Sequence, residues 1–238
     1  MYLSIVIPAY NEHDRIVDTL IHTRAYLDGQ EYNSEILVVS DGSADDTCEV
    51  VRSFGSTGRV ILRALEYHPN QGKGYAVRYG MLRAAGDRIL FMDADYAVPV
   101  PEIEKGLILL DSGYDIAIGS RAVAGARVEE HQNFVRELSA RIYTCIQTLY
   151  LGIRYPDTQC GFKLFTRTAA RRLFRLQRLN SVIFDPEILW LAGRHGFSVA
   201  EFPVHWRHVG NSRIQYDSLK KSLFVFQELF RIRRLHRE

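Results

Sequence analysis

Two aspartates two positions apart, Asp93 and Asp95, follow the apolar run Ile89-Leu90-Phe91-Met92. Side chains alternate along an extended segment, so both carboxylates are expected on one side, within reach of a single divalent cation directly or through water. All-oxygen ligation favours a hard ion, Mg²⁺ or Mn²⁺, over zinc. Such a pair also occurs in ordinary surface turns, and its neighbours give it chemical meaning. Tyr10-Asn11-Glu12 follows the apolar run 3–8, and Asp41-Gly42-Ser43 follows the run 36–40. If these runs are strands of one sheet, three polar sites coincide at its carboxyl edge, where open α/β sheets bind ligands.

The elements that would position these groups alternate in type. Residues 3–8, 36–40, 60–66 and 88–92 are short apolar runs, whereas 14–27, 44–54 and 73–85 have helical spacing, the second with Ser43 as its cap. This order predicts an α/β fold with a mainly parallel sheet flanked by helices. A further run, 115–119, ends just before Arg121, and Arg136 and Arg141 fall on a helix-like segment. Asp185 precedes Pro186 and could serve simply as a helix cap. A dinucleotide site is excluded: Pro8-Ala9-Tyr10-Asn11-Glu12 lacks the closely spaced glycines, and Gly72-Lys73-Gly74 is neither that fingerprint nor a Walker motif.

At 238 residues, 47% hydrophobic and 24% charged, the chain is long enough for one sizeable core. A net charge of +2 argues against a general nucleic-acid binder, but residues 218–238 carry six Lys/Arg against two Glu. Over that tail Leu219, Leu223, Phe226, Leu229 and Phe230 form a stripe with Lys220, Lys221, Arg231 and Arg234 off it. Residues 216–238 are therefore expected to form a basic amphipathic helix beside a domain of residues 1–215, lying on a membrane surface, a second subunit or the core. Cys48, Cys145 and Cys160 have neither disulfide-framework nor zinc spacing, which fits a reducing, cytosolic setting. Cys160 is expected to be buried and inert, and His205 and His208 to be structural. The first residues do not resemble a secretory leader, and no run of about 18 apolar residues predicts a membrane span.

Ile7-Pro8-Ala9-Tyr10-Asn11-Glu12, Ser40-Asp41-Gly42-Ser43, Asn70-Gln71-Gly72-Lys73-Gly74, Asp93-Ala94-Asp95 and Gly119-Ser120-Arg121 occur in the order and approximate spacing of inverting family 2 glycosyltransferases with the GT-A fold. Asp157-Thr158-Gln159-Cys160-Gly161-Phe162-Lys163-Leu164-Phe165 and Phe184-Asp185-Pro186-Glu187 resemble the branch of dolichyl-phosphate glucosyltransferases and mannose synthases. The resemblance covers residues 1 to about 215 and extends less well to the tail. It departs in one place: some mannose synthases complete the metal shell with a glutamine where Ala97 stands here.

The resemblance implies hexose transfer from a nucleotide sugar, UDP-glucose before GDP-mannose, to a polyprenyl phosphate at the cytoplasmic face of a membrane. Pro8, Ala9, Tyr10, Asn11, Glu12, Asp41, Lys73, Asp93 and Ala94 would bind the nucleotide sugar. Asp93 and Asp95 would hold Mg²⁺ or Mn²⁺, with water and donor phosphates completing the shell. An acceptor phosphate with a second pKa of about 6 is largely dianionic at neutral pH and needs orienting more than deprotonating. A guanidinium fork suits that task, so Arg121 and Arg136 would hold the acceptor phosphate. Asp95, Arg121 and Asp157 form the implied catalytic set, with Gln159, Lys163 and Asp185 on the sugar or acceptor side. Two other readings remain open: a hydroxyl acceptor with Asp157 or Asp185 as base, and a nucleotide-sugar-binding subunit without catalysis. A homodimer or a membrane-anchoring partner fits either the basic tail or its apolar stripe.

Overall fold

The computed structural model describes residues 1–129, 134–209 and 219–237, the side chains of 134–141 and 219–223 excepted. In chain order the elements are β1 (Leu3–Ala9), α1 (His13–Asp28), β2 (Ser34–Asp41), α2 (Thr47–Phe54), β3 (Val60–Tyr67), α3 (Lys73–Met81), β4 (Arg88–Met92), α4 (Ile103–Asp111) and β5 (Ile116–Ser120). They continue as β6 (Arg127–Val128), α5 (Phe134–Leu151), β7 (Phe162–Thr166), α6 (Arg167–Leu176), α7 (Phe184–Arg194), β8 (Val199–Pro203), β9 (His205–Trp206) and α8 (Leu219–Leu235).

Seven strands form one sheet in the order β3-β2-β1-β4-β7-β5-β8, and β6 and β9 form a separate parallel pair. All neighbours in the large sheet are parallel except β7, which runs antiparallel between β4 and β5. The α/β class and mainly parallel sheet follow from the alternating pattern, and helices cover both faces. Val6, Leu37, Val39, Ile89 and Phe91 point into one core with α3, α6 and α7. Ile5, Ile7, Ile36, Val38, Leu90 and Met92 point into the other with α1 and α4. Burial on both faces is why these strands read as continuous apolar runs. The chain winds outward from β1 to β3, then returns to the other side of β1 as β4. That reversal opens a crevice between the carboxyl ends of β1 and β4.

Three local expectations are corrected. Helix α2 begins at Thr47, not Ala44, and Ser43 does not cap it: Ser43 Oγ accepts the Asn11 amide (3.1 Å), while the Asp45 carboxylate takes the Thr47 amide (3.1 Å). Helix α3 stops at Met81, and the carbonyls of Leu82 and Ala84 accept the Arg171 guanidinium at 2.5 and 2.9 Å. Asp185 is not a cap but lies within the first turn of α7, after the cap position Ile183.

Helix α8 turns its inner face to the core. Leu229 and Ile232 are fully buried, Phe226 packs near Tyr143, and the Tyr150 hydroxyl donates to the Phe230 carbonyl (3.1 Å). Of the stripe seen in the sequence, Phe230 is on the surface, and Leu219, Leu223, Lys220 and Lys221 lie outside the described side chains.

Candidate active site

Strand β4 ends at Met92, and the aspartate pair sits on a turn rather than on extended chain. Tyr96 closes that turn at φ 54°, a conformation unusual for a bulky residue, and is held by stacking on His22 and by its hydroxyl accepting from the Val100 amide (3.3 Å). Turn geometry, not strand alternation, therefore brings the two carboxylates together. Asp93 already has a cation, because Lys73 Nζ lies 2.6 Å from its Oδ1. Its carboxylate also rests on Gly161, where an added Cβ would come within 2.1 Å of Oδ2. Asp95 is less engaged: Oδ1 accepts the Ala97 amide (3.1 Å), and burial followed by the charge of Asp93 raises its pKa. Two carboxylates crowded this way fit a hard divalent ion, which would relieve their repulsion. Among the described residues no third His, Cys, Asp or Glu joins them. The lysine ammonium stays charged, since Asp93 and Asp185 outweigh its burial and raise its pKa.

On the β1 side, Pro8 and Ala9 are buried in the sheet, and Tyr10 at its end is 44% exposed. Asn11 ties this loop to the next by accepting the Ala44 amide (2.8 Å), and the Glu12 amide donates to Thr47 Oγ1 (2.9 Å). The Glu12 carboxylate receives both arms of Arg15, at 2.6 and 2.5 Å. The Asp41 carboxylate is engaged within the protein. Its carboxylate accepts from the Tyr67 hydroxyl (2.9 Å), Asn70 Nδ2 (3.0 Å) and the amides of Gln71 (2.7 Å) and Gly72 (2.9 Å). Asp41 thus shapes the loop that delivers Lys73. Ala94 likewise presents little to a ligand: its side chain is buried and its carbonyl accepts from Thr19 (2.6 Å).

Across the crevice Arg121 and Asp157 form a two-armed ion pair, Nε to Oδ2 at 2.7 Å and Nη2 to Oδ1 at 2.8 Å, with the Arg121 amide also donating to Oδ2 (2.9 Å). Burial pushes the Asp157 pKa up, but the hydrogen bonds and charge of Arg121 outweigh it and hold the carboxyl below its ordinary range. A carboxylate so depressed and so occupied is a poor base. Its evident work is to orient the guanidinium, leaving Nη1 without a partner among the described residues. Arg121 lines one cavity with Asp93, Ala97, Gln159, Gly161 and Trp206. Gln159 Nε2 is buried there with no hydrogen-bond partner among the described residues, a cost that an oxygen-rich ligand would remove.

Lys163 and Asp185 lie beneath this surface, 1% and 3% exposed, and pair at 2.6 Å. Lys163 also donates to the Cys160 carbonyl at 2.5 Å. Lys73 and Lys163 both approach the Phe91 ring, at 5.7 and 5.5 Å, so the half-buried Lys73–Asp93 pair at the crevice lies over the buried Lys163–Asp185 pair. Burial raises the Asp185 pKa against the pull of Lys163, and pushes the inert Cys160 thiol up to about 12. Arg136 lies outside the described side chains.

Trp206 is the site residue that sequence reasoning missed. It reaches the cavity because β9 pairs with β6, bringing its ring 5.6 Å from the Arg121 guanidinium. A lone tryptophan among polar residues just after an apolar strand was the available signal. His205 pairs with Glu129 (2.7 Å), in keeping with a structural role.

The mainly parallel sheet, with a crevice at its strand reversal walled by a carboxylate pair and an arginine, is the architecture of the GT-A fold. Residues 4–174 match Glycosyl transferase family 2, and the chain belongs to that family and is a glycosyltransferase. Among its relatives are dolichyl-phosphate beta-glucosyltransferases of Drosophila melanogaster (37% identical, covering 89% of this chain and 69% of that one) and Saccharomyces cerevisiae (35%, 92% and 72%). The solved glucosyl-3-phosphoglycerate synthase of Mycobacterium tuberculosis, in complex with UDP, superposes with a TM-score of 0.68 at 22% identity, over 97% of this chain and 79% of that one. Mannosyl-3-phosphoglycerate synthase of Rubrobacter xylanophilus gives 0.68 at 19%, over 99% and 74%. These two structures support the fold alone.

Proposed function

We propose that the protein transfers glucose from UDP-glucose to a polyprenyl phosphate of the dolichyl type, with inversion at the anomeric carbon. The observation that carries this reading is the division of the crevice. The Asp93–Asp95 turn and Lys73 suit a pyrophosphate, and the open Nη1 edge of Arg121 suits a second, separate anion. The names of the curated relatives favour glucose over mannose and a dolichyl phosphate acceptor.

Tyr10 would lie against the base. Asp95, with Asp93, would hold Mg²⁺ or Mn²⁺; the M. tuberculosis synthase is captured with Mn²⁺ and UDP-glucose. Such an ion supplies positive charge to the departing diphosphate. Lys73 supplies more from the protein itself, and it can turn from Asp93 to a donor phosphate. Arg121, aligned by Asp157, would orient the acceptor so that one phosphate oxygen attacks the anomeric carbon as its bond to UDP breaks. The nucleophile is already ionised near neutral pH, so no protein base takes a proton. This favours a phosphate acceptor over a hydroxyl one, because Asp157 is ion-paired and Asp185 is buried beneath the surface. Among the described residues no helix is long and apolar enough to cross a membrane. Because the acceptor stays in a bilayer, the protein would visit the cytoplasmic face as a peripheral enzyme, alone, as a homodimer or with an anchoring subunit.

The test is a panel of UDP- and GDP-sugars with Mg²⁺ or Mn²⁺, with and without polyprenyl phosphate. The expected result is product from UDP-glucose only when the lipid phosphate is present. Faster turnover with GDP-mannose would move the assignment to the mannosyl branch.

A further inference from the structure

Loop 177–183, between α6 and α7, is fastened on two sides. On its inner side the Asn180 carbonyl accepts the amides of Gly74 (2.8 Å) and Tyr75 (3.4 Å) at the start of α3. Gln177 Nε2 donates to the carbonyls of Gly74 (2.9 Å) and Leu179 (2.7 Å). The two backbones touch: a Cβ on Gly72 would stand 2.5 Å from the Asn180 carbonyl oxygen, and one on Gly74 2.7 Å from that of Ser181. Gly72 also holds φ at 99°, which a side chain would resist. Two first-turn amides of α3, those of Gly74 and Tyr75, are thus spent on Asn180 at a position that serves as an anion site in many phosphate-binding loops. The charge this turn offers a donor phosphate is the Lys73 ammonium, and the backbone that carries it is fastened to the loop.

On its outer side the same loop is held by α8. Glu187 is fully buried and accepts the amides of Arg178 (2.8 Å) and Leu179 (2.9 Å), and His236, just past α8, sits 2.6 Å from its Oε1. Ser181 Oγ donates to Oε2 of Glu228 (2.8 Å), an α8 residue only 4% exposed. An unbroken series of polar contacts therefore runs from the C-terminal helix through loop 177–183 and the glycine turn to Lys73 and Asp93.

We propose that α8 is a strut of the donor site, with Glu228 and His236 as positioning residues that hold Lys73 where a nucleoside diphosphate needs it. The inference rests on the donor-site reading above and adds a dependence on residues that never touch the substrate. Coupling is reciprocal in binding free energy, so an occupied donor site must in turn tighten α8. The arginine-bearing outer face of α8 would then report to the donor site on whatever it rests against.

The test uses the full chain, with UDP and Mn²⁺ as the probe. Glu228→Ala, His236→Ala and the milder Ser181→Ala should each raise the Kd for UDP about tenfold and donor KM with it, leaving acceptor KM within about twofold. Glu228→Gln keeps an oxygen for Ser181, and His236→Gln keeps a donor for Glu187; both should recover most of the affinity. Amide exchange at Gly74 and Tyr75, read without nucleotide, should quicken in the alanine variants and slow again in the glutamine ones. UDP with Mn²⁺ should slow exchange along α8 in the unaltered protein. Variants that melt earlier yet bind UDP normally and keep Gly74 protected would overturn the strut. If the unaltered protein binds no UDP, the donor-site reading falls; the exchange of Gly74 and Tyr75 still decides whether α8 braces the turn.

Discussion

Three side chains that look equivalent as acids behave differently once placed. Asp93 is neutralised by Lys73 and Asp157 by Arg121, whereas Asp95 has no ion pair among the described residues, only the Ala97 amide and the more distant charges of Lys73 and Arg15. Asp95→Asn should therefore lower transfer about 10²- to 10³-fold and abolish Mn²⁺ binding, with a melting temperature at or above the original because repulsion is relieved. Calorimetric titration with Mn²⁺ checks this, and unchanged binding would shift the metal to other ligands. For Asp157 the pH dependence has a definite sign. Its folded pKa is depressed, so its stabilisation is present above the ordinary carboxyl pKa of about 3.9 and lost as pH falls through the lower folded value. Asp157→Asn should cost about 3 kcal/mol at neutral pH by leaving Arg121 unpaired, and the gap between the two proteins should begin to narrow below about pH 4. Melting curves from pH 7 to pH 3 would decide it; a constant gap would mean that the pair is not what stabilises the site. The sequence made the identities of these groups legible, because polar residues after apolar runs stand out. It could not say which acid meets which base: Arg121 and Asp157 are far apart in the chain, and the donors that converge on the Asp41 carboxylate come from Tyr67 and loop 70–72.

At the scale of elements, β1, β2 and β4 were legible because strands covered on both faces read as apolar runs, whereas the edge strand β3 admits Arg63 and Glu66 and was legible from its place in the alternation with helices. Strand β7 was not: Phe162-Lys163-Leu164-Phe165 carries a lysine that a buried strand tolerates only because Asp185 neutralises it. Short β6 and β9 leave no periodic signature, so the arrival of Trp206 at the crevice could not be read. The tail was recognised as an amphipathic helix, but which side faces the protein depends on where α5 and α7 lie. Ile232 is fully buried and Leu235 is 38% exposed. Ile232→Ala should cost about 2–5 kcal/mol in denaturant unfolding, and Leu235→Ala less than about 0.5 kcal/mol. Equal, small effects would mean that α8 is only loosely attached. On the same grounds, deleting residues 219–238 should destabilise the whole fold rather than remove a detachable membrane anchor.

At the scale of the whole molecule, the proposed reaction needs one anion site on each side of the crevice. The leaving diphosphate and the attacking phosphate must both be neutralised without being brought together. On this proposal Lys73 and the aspartate turn would serve the first, and Arg121, aligned by Asp157, the second. Everything in this mechanism turns on the acceptor being a phosphate. It is tested most directly by offering the purified protein UDP-glucose with a polyprenyl phosphate and, separately, with the matching polyprenol, and determining product and anomeric configuration by NMR. The account predicts β-glucosyl phosphate product from the phosphate and none from the alcohol, with activity rising as the acceptor loses its second proton near pH ~6 and no further basic group in the profile. Equal transfer to polyprenol, or an α-linked product, would contradict it.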